Sequence, residues 1–372
     1  MTPIIRIGAI GDISLSSGKT SQSTLLTIDS EIIKKISSYD ILIANLECVF
    51  YPAGKEKDQD LSTLLIEKDS SFSDFLKIGT SAVSLANNHI LDFNNSEGLI
   101  HTITLLEQNQ IRYFGAGKNI AEAKKPAIYE TKEKRIGLIG RMECSFFNPK
   151  IIYKMGATEN LPGVALLDWN SIQEEINIIK KKYNLDFLIL YVHWGVEHIH
   201  TTHPFIHKMA TNLLKNSDID IIIGSHAHCI QGIIKTKTKV LCFGLGNFFF
   251  YPKTIQNERI FNDIKNSSLS LLIELEIYYL GIGVDTFVLE QNQENKIIFK
   301  QKNIKKIKNK IFNKWAKYSQ TAFFISILIF KIVTTGKKIL KITNNSYYQQ
   351  KIIQWLINPK LFLQSLKNFF RY

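Results

Sequence analysis

Short apolar runs alternate along most of the chain with segments whose apolar positions recur every third or fourth residue. The runs Ile4–Ile10, Ile41–Leu46, Ser81–Leu85, Ala127–Glu130, Ile136–Ile139, Phe187–His193, Ile219–Gly224, Val240–Phe243 and Ser268–Glu276 predict strands. The segments Glu31–Ser38, Glu97–Asn109, Ser171–Tyr183 and Pro204–Lys215 carry the helical period. Between them, Tyr51–Asp74 reads as irregular and charged, and Gly115-Ala116-Gly117 as a turn. Strands that alternate with helices, and are apolar on both faces, predict an α/β fold with the sheet strands buried between helices.

The polar residues fall at the ends of these predicted strands. Asp12 follows the first; Asn45 and Glu47 close the second; Asn87, Asn88 and His89 close the third; His193 ends a later one, and His226 with His228 the next. Each could satisfy local backbone groups as a cap or turn residue. Open α/β sheets, however, bind ligands beyond the carboxyl ends of their strands, so these residues should also meet in one crevice. His226 and His228 share a face if the strand continues through them, and are surface turn histidines if it does not. Their chemistry suits metal ions: Glu47 could bridge two cations, with Asp12 and His228 completing one site and Asn88, His193 and His226 the other. Oxygen and imidazole donors without thiolates favour Mn, Fe, Zn or Co. Two such cations about 4 Å apart orient a phosphoryl oxygen, generate a hydroxide nucleophile and neutralise a leaving group. His89, beside a ligand yet free to protonate, is placed as general acid. Glu197 is a candidate to orient His193 or to contact substrate, and Asn247 a turn cap or substrate contact. His198, His200, His203 and His207 are read as solvent- or substrate-facing in preference to a second metal site.

Gly11-Asp12-Ile13-Ser14-Leu15, Asn45-Leu46-Glu47, Ala86-Asn87-Asn88-His89 with Asp92, Gly115-Ala116-Gly117, His193-Trp194-Gly195 with Glu197, Gly224-x-His226-x-His228 with Gln231, and Gly246-Asn247-Phe248 together resemble the CapA family. This is the poly-γ-glutamate capsule biosynthesis family, within the calcineurin-like metallophosphoesterase superfamily. The resemblance covers about Ile5–Glu276. It implies a four-layer αββα sandwich around a site for two divalent ions (Mn, Fe or Zn), with Asn45, Asn87, Glu197, Gln231 and Asn247 toward a phosphoester or capsule-polymer substrate. It also implies a role in capsule, exopolysaccharide or poly-γ-glutamate synthesis, with other capsule synthesis proteins as partners. The chain departs from the family pattern at Ser14, where the superfamily has His, and at His198, His207, Asn94 and Ala227, where the family has Tyr, Gln, Gly and Pro. Asn94 tolerates positive φ, so that turn survives; Ser14 weakens the first metal position. The expectation is therefore a metal-dependent phosphoesterase-type hydrolase, with a non-catalytic polymer-binding or assembly component as the rival.

Charge divides the chain unevenly. Sixteen of the 46 Lys and Arg, and none of the Asp or Glu, fall in residues 300–372, so a chain of net charge +13 has a body of about −3. Two parts are predicted: 1–295, the catalytic-type domain, and 296–372, a basic amphipathic helical tail. Lys alternating with Ile, Trp315, Phe323, Phe324, Trp355, Phe362, Phe369 and Phe370 suits helices lying on an anionic membrane face, or an appendage packed on protein. The apolar core Thr321–Phe330 is too short for a span of about 20 residues. No nucleic-acid motif accompanies the charge, so no nucleic acid is expected. Cys48, Cys144, Cys229 and Cys242 have no paired spacing and read as free thiols, and Met1–Ile10 has no secretory pattern. The expected location is the cytoplasm, peripheral at the inner membrane face.

Overall fold

A mostly apolar strand can be buried on both faces, and Ile41–Leu46, polar only at Asn45, shows how that is used. Ile41 and Ile43 enter one core cluster while Leu42, Ala44 and Leu46 enter another on the opposite face. The computed structural model describes residues 2–16, 26–52, 54–55, 64–131, 134–145, 154–250, 254–255, 258–259, 268–292 and 294–301. Residues 302–372 of the predicted basic tail, with the membrane-facing helices expected there, lie outside the described residues. The chain divides into residues 1–318 and 319–372, and all described residues belong to the first part.

In chain order the strands of the two main sheets are β1 (Ile5–Ser14), β2 (Thr27–Ile28), β3 (Ile41–Leu46), β4 (Ala82–Ser84), β5 (Arg112–Phe114), β6 (Ala127–Glu130), β7 (Arg135–Met142), β8 (Phe187–His193), β9 (Ile221–Ser225), β10 (Ile233–Lys235), β11 (Val240–Cys242), β12 (Asn247–Phe250), β13 (Leu269–Tyr278), β14 (Gly281–Gln291) and β15 (Lys296–Gln301). The helices are α1 (Ser30–Ile36), α2 (Phe72–Leu76), α3 (Glu97–Gln108), α4 (Ile120–Lys124), α5 (Ile172–Lys182) and α6 (Pro204–Asn216). The first sheet has the order β2-β15-β14-β13-β1-β3-β4-β5, with β12 pairing β1, and the second the order β10-β11-β9-β8-β7-β6. The pairs β1–β3, β3–β4, β7–β8, β8–β9 and β9–β11 are parallel.

Three apolar clusters hold these elements. One contains side chains of both sheets, among them Ile7, Ala9, Ile43, Leu138, Ile189, Tyr191 and Ile223. A second joins the first sheet to Ile32 and Ile36 of α1, Phe75 of α2 and Leu99, Ile103 and Leu106 of α3. The third joins the second sheet to Ile172 and Ile176 of α5 and Ile206 and Leu213 of α6. Each fully buried Ile or Leu contributes about 1.5–3 kcal/mol relative to exposure. The mixed α/β expectation holds.

Several expectations need correction. The charged stretch Tyr51–Asp74 is not wholly irregular: Val49–Tyr51 pairs with Ile66–Lys68, followed by a 3-10 turn and α2. Ala116–Gly117 pairs with Gly163–Val164 besides turning the chain. The sheet also extends past residue 295 through the six residues of β15, which pair with β14 and β2. No helix among the described residues is long and apolar enough to cross a membrane.

Candidate metal centre

The carboxylates come from the first sheet. β1 changes register between Ala9 and Asp12 against β3, and between Asp12 and Ile13 against β12, a bulge that re-aims the Asp12 side chain. Here β12 takes over as a partner of β1, with Asp12 opposite Asn247. Gly11 permits the close approach: a Cβ there would lie 1.8 Å from the Gly246 carbonyl oxygen, which accepts the Asp12 N–H at 3.0 Å. Glu47 follows the last residue of β3, and its N–H donates to the Ile13 carbonyl at 2.8 Å.

The imidazoles come from the second sheet. His193 is the last residue of β8. His226 and His228 follow β9, but not in the extended form that would put them on one face. Their φ values are +82° and +51°, the left-handed region that L-residues rarely adopt. It is this reversal, together with the His226 N–H donating to Asp12 Oδ2 at 3.2 Å, that brings the two rings to 6.0 Å between centroids. The rings of His193 and His226 lie 4.5 Å apart.

The donors converge on Glu47. His193 Nε2 lies 3.6 Å and His228 Nε2 3.7 Å from Glu47 Oε1, and His228 Nδ1 lies 3.5 Å from Asp12 Oδ2. Two groups each keep their ligand atoms within 4.8 Å of one another: Asp12, Glu47 and His193, and Glu47, His226 and His228. Glu47 is common to both groups, with Asp12 and His193 in one and His226 and His228 in the other. Asn88 offers Oδ1 to His193 Nε2 at 2.6 Å. Cys48 and Cys229 join neither group. Burial pushes the Cys48 thiol up to about 12 and raises that of Cys229 as well.

Burial sets the electrostatics. Asp12 and Glu47 are both 0% exposed. Desolvation, and then the Asp12 carboxylate, push the Glu47 carboxyl well above its usual range. Desolvation alone would lower His228, but Glu47 and Asp12 outweigh it and bring the imidazole up to about 10. His193 is held well below its ordinary value, and His226 down to about 3, by burial and by neighbouring imidazoles. His228 is thus the one imidazole of the three whose charged form the neighbouring carboxyl groups favour. Glu47 Oε1 has no hydrogen-bond partner although it is fully buried. A buried carboxylate oxygen left this way, facing two imidazole nitrogens, fits a cation.

Around this centre several of the residues expected to face substrate are hydrogen-bonded to the candidate ligands or to one another. Asn45 Nδ2 donates to Asp12 Oδ1 at 2.8 Å and to Glu47 Oε2 at 3.3 Å, and lies 3.5 Å from His193 Nδ1. Asn87 Nδ2 donates to Asn45 Oδ1 and the Leu46 carbonyl, while its own Oδ1 accepts the His89 N–H. Asn247, in β12 and not in a glycine turn, sets Oδ1 2.8 Å from His228 Nδ1. Gln231 is engaged by the Ile199 carbonyl and Thr202 Oγ1. Glu197 is exposed. His89 is partly exposed, and its Nδ1 lies 2.7 Å from Asp92 Oδ2, which also accepts the Leu65 N–H. Asn94 adopts φ +45°, as its turn requires. His203 caps α6 by accepting the Phe205 N–H, and His207 stacks on Phe243 at 5.2 Å. Ser14 is buried, and its hydroxyl accepts the Ser16 N–H at 3.4 Å. Ser225, 3.1 Å from His193 Nδ1, went unnoticed in the sequence although it lies inside the paired-histidine motif.

The model of the bacterial capsule synthesis protein PGA_cap family matches residues 6–252, which include every one of these ligand candidates. The chain belongs to this family. Its PGA_cap relatives include the capsule biosynthesis protein CapA of Bacillus anthracis, 26% identical over 193 residues, 51% of this chain and 45% of that protein. The PGA biosynthesis protein CapA of Bacillus subtilis (strain 168) is 26% identical over 171 residues, 46% of this chain and 42% of that one. A probable polyglutamine synthesis accessory protein of Mycobacterium tuberculosis is 24% identical over 213 residues, 56% and 55% of the two chains. The PGA_cap chain spans about half the length of the curated relatives it matches.

Proposed function

We propose that this PGA_cap chain is a metal-dependent hydrolase of phosphate esters, acting in capsule, exopolysaccharide or poly-γ-glutamate synthesis on a four-layer αββα sandwich. The sandwich reading draws support from the shared inter-sheet cluster and from the helices packed on each outer side. The single observation that carries the activity is the buried Glu47 Oε1, left without a hydrogen bond between His193 and His228. Asp12, Glu47, Asn88, His193, His226 and His228 would hold two divalent ions, Mn, Fe or Zn. Ions so held supply Lewis acidity to a phosphoryl oxygen.

The chain's own residues do the rest. Asn45 fixes both carboxylates through one amide, so neither turns away when charge is drawn from it. Asn247 and Ser225 orient His228 and His193. His89 is the general acid: with Nδ1 toward Asp92, its Nε2 holds the proton for the departing alkoxide. The partly exposed positions of Asn88 and His89 leave that side open to substrate.

Elemental analysis of protein purified without chelators should find about two transition-metal ions per chain, and His226→Ala should abolish manganese-dependent phosphoester turnover while circular dichroism is unchanged. A chain that takes up no metal after reconstitution loses the hydrolase reading. The rival, a polymer-binding or assembly component, draws on Ser14, a buried hydroxyl that accepts the Ser16 N–H where the superfamily has an imidazole. The basic residues 302–372 would, on either reading, hold the protein at an anionic membrane face.

A further inference from the structure

We propose that the outer side of α5 is a self-association surface, on which a second copy of this chain docks its own α5, antiparallel, about a two-fold axis at Ile178. The inference stands apart from the metal centre and from the activity proposed for it. Ile172, Ile176 and Ile179 turn one side of α5 into the apolar cluster shared with the second sheet. Ile178 lies on another side and is 55% exposed. It borders a groove of about 450 Å³ between α4 and α5, whose apolar lining is Ile120, Ala121, Ile178, Ile179 and Tyr183. A single exposed isoleucine is ordinary on a protein surface. What marks this one is the groove beside it and the charge on either side of it.

Glu174 and Lys182 line the same groove, one helical turn before and one turn after Ile178, so the three follow one side of the helix. Neighbouring charges are committed within the chain, Glu175 to Arg141 and Lys124, and Lys180 to Asp220. Glu174 and Lys182 enter no ion pair among the described residues; Lys182 Nζ lies 5.3 Å from the centre of the adjoining Tyr183 ring. In an antiparallel pair of identical helices, residues equally far from the two-fold axis, on opposite sides of it, face each other. With the axis at Ile178, Glu174 of one copy therefore meets Lys182 of the other, and the symmetry repeats the pair. The two Ile178 side chains meet at the centre, each against the groove of the other copy. A parallel pairing would set Glu174 against Glu174 and Lys182 against Lys182, so the stripe selects its own reverse, and the opposed helix dipoles favour the same arrangement. A purely acidic or purely basic partner would match only one of the two charges; a second copy matches both. One helix side is a small contact, which implies a weak dimer with a dissociation constant on the order of 10 μM.

The test is sedimentation equilibrium of the full chain at physiological salt, over about 1 to 100 μM. The natural protein should show a monomer–dimer equilibrium. Glu174→Lys and Lys182→Glu should each weaken it about tenfold or more, because two attractions become two repulsions. Mixing these two variants in equal amounts should restore the natural affinity, since each supplies the charge that the other lacks. Restoration on mixing also shows that both variants are folded, which separates loss of the contact from loss of the fold. Ile178→Asp should weaken the dimer by a similar factor, and neither charge variant should rescue it on mixing. A natural protein that stays monomeric at about 100 μM overturns the proposal. So does a dimer indifferent to Ile178→Asp or to either charge variant, which would be held by another surface. Loss of the dimer in both charge variants without recovery on mixing overturns the antiparallel pairing, and the proposal with it.

Discussion

Replacing Asn45 by Leu removes the one amide that spans both carboxylates, with little change in volume. Three hydrogen bonds are lost: to Asp12 Oδ1 at 2.8 Å, to Glu47 Oε2 at 3.3 Å, and from Asn87 Nδ2 at 3.2 Å. A hydrogen bond to a charged group contributes about 1.5–3 kcal/mol, and a neutral one about 1 kcal/mol. The bond at 2.8 Å counts in full, while the one at 3.3 Å lies beyond the usual range and counts as about half. Burial of the new methyl groups returns about 1 kcal/mol, so the net loss is about 3 kcal/mol of unfolding free energy. Urea unfolding in the presence of a chelator should show this as a lower midpoint at an unchanged slope. Manganese affinity, read by titration calorimetry, should fall 10- to 100-fold, the usual cost of removing a group that orients ligands. The opposite sign has its own logic: carboxylates freed of a donor are more basic and could bind a cation more tightly. Unchanged or tighter manganese binding, or a stability loss under about 1 kcal/mol, would refute the claim that Asn45 holds Asp12 and Glu47 in register.

Two further outcomes are expected away from the centre. Arg141 is 0% exposed and pairs with Glu175 at 2.7 Å, with Lys124 3.2 Å from the same oxygen. Desolvation would raise the Glu175 carboxyl, but Arg141 and Lys124 outweigh it and hold it below its usual value. This stability is present above the unfolded carboxylate range and is lost as pH falls through the lowered folded value. Glu175→Gln should cost about 3–5 kcal/mol at neutral pH by leaving Arg141 buried without its counter-charge, and should flatten the acid limb of the stability profile; an unchanged acid limb would count against it. For the tail, changing Lys305, Lys306, Lys308 and Lys310 to Gln should weaken binding to phosphatidylserine vesicles by about 4 kcal/mol at low salt. Undiminished co-sedimentation would remove the membrane reading.

How much of this could be read from the chain follows from where the local signal and the tertiary structure agree. Ile41–Leu46 and Phe187–His193 begin and end as expected, because a predominantly apolar run, polar only at Asn45 in one and at the terminal His193 in the other, has no competing reading. The convergence of Asp12, Glu47, His193, His226 and His228 was legible for the same reason: it requires only that parallel strands end on one side. What was not legible depends on long-range partners. β12 is four residues long and gains its place only by lying parallel to β1 beyond the bulge at Asp12. β14 is largely half-buried and shifts register at Val288, so its apolar alternation is blurred. β15 carries two lysines and sits beside a basic tail, so charge outweighed its Ile297 core position. The left-handed backbone at His226 and His228 has no signature in residues that normally avoid it.

The two sheets bring different chemistry to the centre, and that division shapes what a retained ligand set can mean. The first sheet supplies Asp12, Asn45, Glu47, Asn87, Asn88 and Asn247; the second supplies His193, Ser225, His226 and His228. Every close contact within the centre that joins a carboxylate or amide of one group to an imidazole of the other is therefore also a contact between sheets. Just below them, Tyr191 of β8 donates its hydroxyl to the Ile10 carbonyl of β1 at 2.9 Å, a third kind of tie across the same gap. The centre is in this sense a polar joint closing one end of the apolar inter-sheet cluster. A chain that lost catalysis would still need such a joint, since two buried carboxylates without a cationic partner would separate the sheets rather than hold them. Asp12, Glu47 and the three histidines thus have a structural reason to persist on either reading of function, and their presence alone does not separate the hydrolase from an assembly component. The residues that separate them are those outside the joint, His89 with Asp92: on the hydrolase reading His89→Ala should cost turnover with little loss of stability, whereas an assembly component has no need of its imidazole.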